Sequence, residues 1–325
     1  MRISKIFKKF TILYKIYKEN KEIEKQIPYA ELIYDSILSN KSKDEILKKI
    51  PTSLSKELVG ILNKVFEIPE IVIKEKMTGV SVVIPHYNQH ECLSENLYHL
   101  KEQSCLPDQI IVVDDMSNEQ KKLRNIINKY NNDLNIELIR SKQKLYTGAA
   151  RQLGAEHAKF NVIMVHDADD ISHWNRIELT KKFFKEYPNA VQLTVGYVTF
   201  RHPFFDFIRK FDGIVLKDFI IDTKTILSFM RYNFVKQNFS VLTKYTPHYG
   251  FYGVETKYGG VHAGHVAYRK EVVGKVNWPS KGSNIFSSYE DYDFNFILLL
   301  ATKKTYHLDL PLIYYRLGSS TYCLT

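Results

Sequence analysis

The spacing of apolar residues changes once along the chain, close to residue 77. Before that point, apolar side chains recur every three or four residues, for example between Leu54 and Val65, which predicts amphipathic helices. From Gly79 onward, short apolar runs alternate with segments of helical length. The pattern therefore predicts an all-helical region over residues 1–76, followed by an α/β domain over residues 77–325.

Four short apolar runs have the length of buried strands: Val80–Ile84, Ile110–Val113, Ile136–Ile139 and Val162–Val165. Their alternation with helical segments predicts a mainly parallel sheet flanked by helices on both faces. In such a sheet, ligands bind beyond the carboxyl ends of the strands. Residues 200–258 interrupt the alternation and are rich in Phe, Tyr, Lys and Arg, which indicates an insertion near one edge of the sheet.

Polar residues follow three of these runs. The sequences are PHYN at 85–88, DDMS at 114–117 and HDADD at 166–170. Crowded carboxylates repel each other, and Mn²⁺ or Mg²⁺ relieves that repulsion while also binding substrate phosphates. Such an ion can neutralise a diphosphate leaving group. The alternative interpretation of the acidic cluster is a solvated turn that caps the next helix.

Two common phosphate-binding motifs are absent from the sequence. Neither GxGxxG nor GxxxxGK[ST] follows the first run, so phosphate would have to be held by a metal ion and by basic side chains such as Arg151. A second acidic segment, YEDYD at 289–293, precedes an apolar helix. Acidic residues favour a helix start, and one of them can also act as a general base towards an acceptor hydroxyl. Asp291 is one of three candidates for that base.

The formal net charge is +10, and much of the basic excess lies in the first tenth of the chain. No nucleic-acid-binding module is visible, so no nucleic-acid partner is expected. Residues 1–20 have the pattern of a basic amphipathic helix that binds an anionic membrane surface. The alternative is that this helix packs on the protein itself or on a second subunit of a homo-oligomer. Without a signal peptide or a membrane-spanning stretch, we expect a cytoplasmic protein, peripheral on the inner membrane face.

Taken together, these segments resemble family 2 glycosyltransferases with the GT-A fold. The matching segments are VSVVIPHYN at 80–88, QIIVVDDMS at 109–117, GAARQLGAEHA at 148–158, VIMVHDADDI at 162–171, GGVHAGHVAYRKEVV at 259–273, YEDYDF at 289–294 and LPLIYYRLGSS at 310–320. They follow the family's order over most of residues 79–325. The N-terminal region and the insertion are not covered by the resemblance.

The resemblance implies roles for residues that bind a nucleotide-sugar donor. The donor-binding set is Pro85, Tyr87, Asn88, Asp114, Asp115, Arg151, Asp167, Asp170 and Arg316. Within this set, Asp115 would bind the base, usually uracil, with Asp114 as its neighbour. Arg151 would lie near the base or the diphosphate, and Arg316 would approach the diphosphate. Pro85, Tyr87 and Asn88 would lie beside the base and ribose.

The same resemblance implies a metal site and a general base. Asp167 and Asp169 would form the DxD motif that binds Mn²⁺ or Mg²⁺, and Asp170 would lie close to the sugar. Asp291, with Glu290 beside it, would be the catalytic base. The family often has a His where this chain has Leu317-Gly318, so a third metal ligand would come from elsewhere; His262, His265 and His307 are the candidates.

The implied activity is inverting transfer of a sugar from a nucleotide donor, such as a UDP-sugar, to a saccharide or lipid-linked acceptor. Two alternatives stay open. A sugar nucleotidyltransferase shares the sheet and the metal chemistry, but it usually has a Gly-rich, Arg-bearing loop where this chain has PHYN. A non-catalytic sugar-binding module on the same scaffold is the other alternative.

Overall fold

The computed structural model describes residues 27–74, 76, 78–200, 214–216, 219–221, 242–244, 264–280 and 290–316. The helices are α1 (Ile27–Leu38), α2 (Lys43–Leu47), α3 (Thr52–Glu67), α4 (His90–Lys101), α5 (Gln120–Tyr130), α6 (Tyr146–His157), α7 (Arg176–Glu186) and α8 (Glu290–Thr302). The strands are β1 (Val80–His86), β2 (Gln109–Asp114), β3 (Ile136–Arg140), β4 (Val162–Val165), β5 (Ile171–Ser172), β6 (Gln192–Phe200), β7 (Ile214–Leu216), β8 (Phe219–Ile221), β9 (Leu242–Lys244), β10 (Val266–Arg269) and β11 (Thr305–Arg316).

These strands form one sheet in the order β3-β2-β1-β4-β10-β6-β11-β5. The four predicted strands β3, β2, β1 and β4 are parallel neighbours, which confirms the predicted alternation in this half. The prediction of a mainly parallel sheet is wrong for the other half, so that the sheet as a whole is mixed. The reason is that β10 runs antiparallel between β4 and β6, and β11 runs parallel to β6 but antiparallel to β5.

Both faces of the sheet are covered by apolar layers. Along β1, Val80, Val82 and Ile84 face a core that includes residues of α4, α5 and α7. Val83 faces the opposite core, which includes residues of α6 and α8. A strand that is buried on both faces needs apolar residues at every position, which explains the uninterrupted runs in the sequence.

The described part of the predicted N-terminal helical region consists of α1, α2 and α3. The short helix α2 begins with a capping box, in which the Ser42 backbone N–H donates to Glu45 Oε2 at 2.8 Å and the Glu45 backbone N–H donates to Ser42 Oγ. Ile33 and Leu62 are fully buried in the same core as residues of α8. This region therefore packs on the α/β domain. Residues 1–20, for which membrane or subunit contact is predicted, lie outside the described residues.

The predicted insertion at 200–258 is described only in short pieces. These pieces are β7, β8 and β9, and they extend the sheet, since β7 pairs with β6 and β9 pairs with β11. The remaining residues of the insertion lie outside the description. None of the helices in the described ranges is long and apolar enough to cross a membrane.

Candidate active site

A cavity of about 360 Å³ opens at the carboxyl ends of β1, β2 and β4. Its walls include Pro85, Tyr87 and Gln89 after β1, Asp115 after β2, Lys144 and Tyr146 before α6, Asp167 and Asp169 after β4, and Tyr315 of β11. Polar side chains from strands that are far apart in sequence thus meet at one edge of the sheet, where the topology predicts a ligand.

Asp115 lies on the cavity wall and holds the start of α6. Its carboxylate accepts hydrogen bonds from the backbone N–H groups of Leu145, at 2.6 Å, and Tyr146, at 3.0 Å. The Lys144 ammonium lies 2.9 Å from Asp115 Oδ2. A carboxylate offers about four acceptor positions, and the fourth is only weakly filled, because Ser141 Oγ lies 3.5 Å from Asp115 Oδ1, at the limit of a hydrogen bond. The loop before α6 is therefore fixed to the predicted base-binding residue.

Asp114 is fully buried and contacts β3 and α5 instead of the cavity. Its carboxylate accepts from Arg140 Nη1 at 2.5 Å and from Gln120 Nε2 at 3.0 Å. Burial opposes ionisation, but hydrogen bonds from His86, Ser117 and Gln120 outweigh it and hold the pKa of Asp114 well below its usual range. The structure thus places Asp114, a predicted donor ligand, in the framework behind Asp115.

Asn88 is placed similarly, between two loops. It has a left-handed backbone, with φ 54°, which asparagine adopts more readily than most residues. Its side-chain oxygen accepts from the backbone N–H of Asn118 at 2.7 Å, and its own N–H donates to Ser117 Oγ at 2.8 Å. Asn88 therefore joins the loop after β1 to the loop after β2, while its neighbours Pro85 and Tyr87 line the cavity.

The two aspartates of the predicted DxD motif both line the cavity. Asp167 Oδ1 accepts from Arg151 Nη2 at 2.8 Å, and Asp167 Oδ2 lies 3.8 Å from His265 Nε2. Asp169 Oδ2 accepts from Gln89 Nε2 at 3.1 Å. Both carboxylates are partly exposed, so they can reach a bound ion.

Asp170, predicted to lie close to the sugar, is fully buried beneath the cavity floor. It lies 2.5 Å from His265 Nε2 and accepts from the backbone N–H of Arg316 at 2.7 Å. Burial raises the pKa of Asp170 well above its usual range and lowers the pKa of His265 to about 3. The Asp170 carboxyl and the His265 imidazole thus share one hydrogen bond that is completely shielded from solvent.

The contacts of His166 determine whether His265 Nδ1 carries a hydrogen. Its Nδ1 lies 2.9 Å from His166 Nδ1, which also lies 3.0 Å from Arg176 Nη1. Because a guanidinium only donates, His166 Nδ1 is an acceptor, and the hydrogen lies on His265 Nδ1. A buried chain of hydrogen bonds thus supports the loop that carries the DxD motif.

Arg151 connects the DxD motif to the start of α8. Its side chain is 3% exposed, with Nη2 2.8 Å from Asp167 Oδ1 and Nη1 2.8 Å from Glu290 Oε1. Burial lowers the pKa of this guanidinium, but Asp167, Glu290 and Asp291 outweigh it and raise the pKa above its usual value. The predicted donor ligand is thus positioned by protein carboxylates.

Arg316, predicted to approach a diphosphate, contacts the protein instead. Its Nε donates to the Asp169 carbonyl oxygen at 2.8 Å, and its Nη2 forms an ion pair with Glu95. Arg316 therefore fixes the backbone of the DxD loop against α4. Its neighbour Tyr315 lines the cavity.

Glu290 and Asp291 stand in the first turn of α8. Glu290 is tied to Arg151, whereas Asp291 is half-buried and its backbone carbonyl accepts from Asn295 Nδ2 at 2.6 Å. Gly148 allows α6 to come close to this region, since a Cβ there would lie 1.9 Å from the Pro279 carbonyl oxygen and 2.7 Å from Glu290 Cγ. The acidic turn is thus held next to the DxD motif through α6.

Sequence reasoning missed several cavity residues, namely Gln89, Lys144, Tyr146 and Tyr315. Two of them had a signal. Lys144 and Tyr146 follow the third predicted strand, whose carboxyl end lies at the same sheet edge as the others. His265 was one of three candidate third ligands, and the structure places it beside Asp167.

The residues present fit a divalent cation. Asp167, Asp170 and His265 each place one ligand atom within 4.8 Å of the others, and Asp169 adds a carboxylate on the cavity wall. Carboxylate oxygens with one imidazole are suitable donors for Mn²⁺, and carboxylates with substrate phosphates are suitable for Mg²⁺.

Two curated proteins resemble part of this chain. The amylovoran biosynthesis glycosyltransferase AmsB of Erwinia amylovora is 35% identical over 104 residues, which are 32% of this chain and 35% of AmsB. The chondroitin synthase of Escherichia coli is 37% identical over 93 residues, which are 28% of this chain and 13% of that protein. The chain thus matches about a third or less of each relative.

Solved structures share the fold. Residues 1–349 of S. aureus TarS give a TM-score of 0.51 at 17% identity, over 74% of this chain and 60% of that one. The same protein in complex with UDP-GlcNAc gives 0.52 at 16% identity, over 76% of this chain and 61% of that one. At this level of identity, the likeness shows the fold alone.

A family model decides the classification. The model described as glycosyl transferase family 2 matches residues 81–252, more than half of the chain. The matched range includes Tyr87, Asp115, Arg151 and both DxD aspartates. The mixed α/β sheet with its cavity at the strand ends agrees with this match, and the chain therefore belongs to glycosyl transferase family 2.

Proposed function

We propose that this chain is an inverting, metal-dependent glycosyltransferase that moves a sugar from a UDP-sugar to a hydroxyl group of a saccharide or lipid-linked acceptor. The observation that carries the proposal is the convergence of Asp115, Asp167 and Asp169 on one cavity with Tyr87 and Lys144. This cavity combines a base-binding acceptor, a metal-binding pair and a cation, which are the groups that a nucleoside diphosphate needs.

In the donor half of the reaction, Asp115 accepts a hydrogen bond from the nucleobase, and the Lys144 ammonium, 2.9 Å from Asp115 Oδ2, adds positive charge to the same end of the cavity. Asp167 and Asp169 would hold Mn²⁺ or Mg²⁺, and His265 Nε2 lies 3.8 Å from Asp167 Oδ2. A bound ion would supply charge neutralisation for a departing diphosphate. The TarS structure with UDP-GlcNAc supports UDP-sugars as the first donors to test.

In the acceptor half, Asp291 takes the proton of the acceptor hydroxyl as its oxygen attacks the anomeric carbon. The bond from that carbon to the diphosphate oxygen breaks in the same displacement, which inverts the configuration. Glu290 is the poorer base, because its carboxylate already accepts from Arg151 at 2.8 Å. Glu290 instead holds the start of α8 next to the DxD motif.

The basic N-terminal segment supports a cytoplasmic location at the inner membrane face. Residues 1–20 include six lysine or arginine residues and no acidic residue before Glu19, so they would bind anionic lipid. Sedimentation of the full chain with phosphatidylglycerol vesicles tests this, with neutral phosphatidylcholine vesicles as the control. Equal recovery with both lipids would contradict it, and light scattering of the protein without vesicles reports any homo-oligomer.

Donor binding is tested by thermal unfolding with a panel of nucleotide sugars in Mn²⁺ or Mg²⁺. A ligand that binds only the folded state raises the unfolding temperature. UDP-sugars are expected to give the largest shift, and Asp169→Ala should remove it. No shift with any UDP-sugar would contradict the donor assignment, and pyrophosphate release from a sugar phosphate and a nucleoside triphosphate would indicate a nucleotidyltransferase.

The catalytic base is tested with two variants that differ by one position. Asp291→Asn should abolish transfer but leave UDP affinity within about twofold, because it removes the proton acceptor alone. Glu290→Gln is the matched control, and it should retain measurable transfer. Turnover by Asp291→Asn at the wild-type rate would refute the assignment. UDP-sugar binding without turnover in any acceptor mixture would favour a non-catalytic module.

A further inference from the structure

Tyr146 holds an unusual backbone conformation on the cavity wall. Its φ is 64°, and it is the one aromatic residue with positive φ among the residues that the structure describes. Bulky side chains disfavour this region, so the conformation costs stability. Its side chain is also 49% exposed. A strained, exposed aromatic residue that lines a cavity suggests a role in ligand binding.

The backbone contacts of Tyr146 place it at the base end of the cavity. Its N–H donates to Asp115 Oδ2 at 3.0 Å, and that same oxygen lies 2.9 Å from Lys144 Nζ. Asp115 is the acceptor assigned to the nucleobase. Tyr146 also lines the cavity, so it borders the space beside Asp115 into which the base would enter.

Tyr87 is a second aromatic residue near this end of the cavity. The Lys144 ammonium lies over the ring of Tyr87, 2.9 Å from its centroid. One face of Tyr87 is thus covered by a cation. A base that enters beside Asp115 meets the exposed ring of Tyr146 without displacing this contact.

We propose that Tyr146 stacks on the nucleobase of the donor and determines nucleotide affinity. The inference rests on the proposed nucleotide-sugar donor and adds a residue to its site. Stacking of a base on an aromatic ring strengthens binding about tenfold or more, and it tolerates different bases because each has an aromatic face. Specificity for uracil would then come from Asp115.

The strained backbone provides a sharp experiment. Tyr146→Gly removes the ring but keeps the backbone N–H that holds Asp115, and glycine adopts a φ of 64° without strain. The variant should fold and should unfold at the wild-type temperature or above. Its Kd for UDP in Mn²⁺, measured by calorimetry on the full chain, should rise about tenfold. Its Kd for inorganic diphosphate, which has no base, should stay within about twofold.

Two further variants act as controls. Tyr146→Phe keeps the ring and should bind UDP like the wild type. Met116 is a second exposed residue with positive φ, at 63° and 43% exposure. Met116→Gly relieves the same kind of backbone strain and should leave UDP affinity unchanged. Equal weakening of UDP and diphosphate in Tyr146→Gly would show a loss of site geometry and overturn the inference.

The remaining outcomes separate this inference from the proposed donor. If the wild type binds UDP and Tyr146→Gly binds it equally well, stacking by Tyr146 is refuted while the donor assignment stands. If Tyr146→Phe weakens binding as much as Tyr146→Gly, the hydroxyl is responsible and stacking is refuted. If the wild type binds no UDP, the proposed donor and this inference both fail.

Discussion

Arg151 joins the two acidic parts of the candidate site, and Arg151→Met tests how much this link contributes to the stability of the fold. Methionine has a similar length but no charge, so Asp167 and Glu290 would face each other without a cation between them. Removing one partner of a buried ion pair costs about 3–5 kcal/mol. The Asp167 and Glu290 side chains keep 21% and 17% exposure, which admits some water, so we expect a loss of about 3 kcal/mol in the free energy of unfolding.

A double-mutant cycle isolates the contact between Arg151 and Glu290. Glu290→Gln alone leaves the bond from Arg151 to Asp167 and should cost about 1–2 kcal/mol, less than the full loss of a hydrogen bond to a charged group, because the glutamine oxygen can still accept from Arg151. The double variant should cost about 3 kcal/mol, no more than Arg151→Met, because its second change removes a carboxylate that had already lost its partner. The expected coupling is therefore about 1–2 kcal/mol.

The assay is urea unfolding followed by tryptophan fluorescence. Trp278 reports on this region directly, since its ring lies 5.0 Å from the Arg151 guanidinium carbon. Circular dichroism on the same samples checks that both probes follow one transition. Additive costs within about 0.5 kcal/mol would refute the proposed link between the two acidic clusters.

Three further predictions follow from local geometry. Gly148→Ala would place a Cβ 1.9 Å from the Pro279 carbonyl oxygen and should lower stability by about 1–3 kcal/mol. Gly60 has open space around it, so Gly60→Ala should raise stability by about 0.5–1 kcal/mol. Thermal melts in which Gly148→Ala is the more stable of the two variants would contradict the close packing of α6. Because the pKa of Asp114 is lowered in the folded state, its carboxylate stabilises the fold above the ordinary carboxyl pKa, and this stabilisation is lost as the pH falls below about 4. The urea midpoints of Asp114→Asn and the wild type should therefore converge in acid. A difference between the two midpoints that does not change with pH would refute this prediction. Burial raises the pKa of the Cys92 thiol to about 11. In a variant without the other cysteines, iodoacetamide should therefore label Cys92 slowly at pH 8 and faster towards pH 11. Rapid labelling of the folded variant at pH 8 would contradict this prediction.

Local pattern was enough to predict the donor half of the sheet. The four apolar runs became β1 to β4, and the aspartates after β2 and β4 meet at one cavity. This worked because parallel strands bring their carboxyl ends to one edge whatever the detailed packing. The spacing therefore predicts one shared sheet edge for Asp115, Asp167 and Asp169, whereas their individual roles come from the family resemblance.

The partners of individual side chains could not be predicted in this way. Asp114 and Asp115 are adjacent, yet one is buried in the framework and the other lines the cavity. Asp170 and His265 are 95 residues apart, and they meet only because β10 inserts beside β4. The antiparallel strand β10 has no signal in the local alternation, which is why the sheet was predicted to be mainly parallel. Such contacts depend on the order of the strands in the sheet, which the spacing of apolar residues along the sequence does not specify.

The DxD loop depends on a part of the chain that is synthesised much later. The short strand β5, directly after this loop, pairs with β11, and Arg316 donates to Asp170 across 146 residues. During translation, the acidic residues of the loop leave the ribosome long before the strand that fixes them. The nascent chain therefore carries the candidate metal ligands without their support, and the loop reaches its final geometry only as a late event in folding, after β11 has entered the sheet.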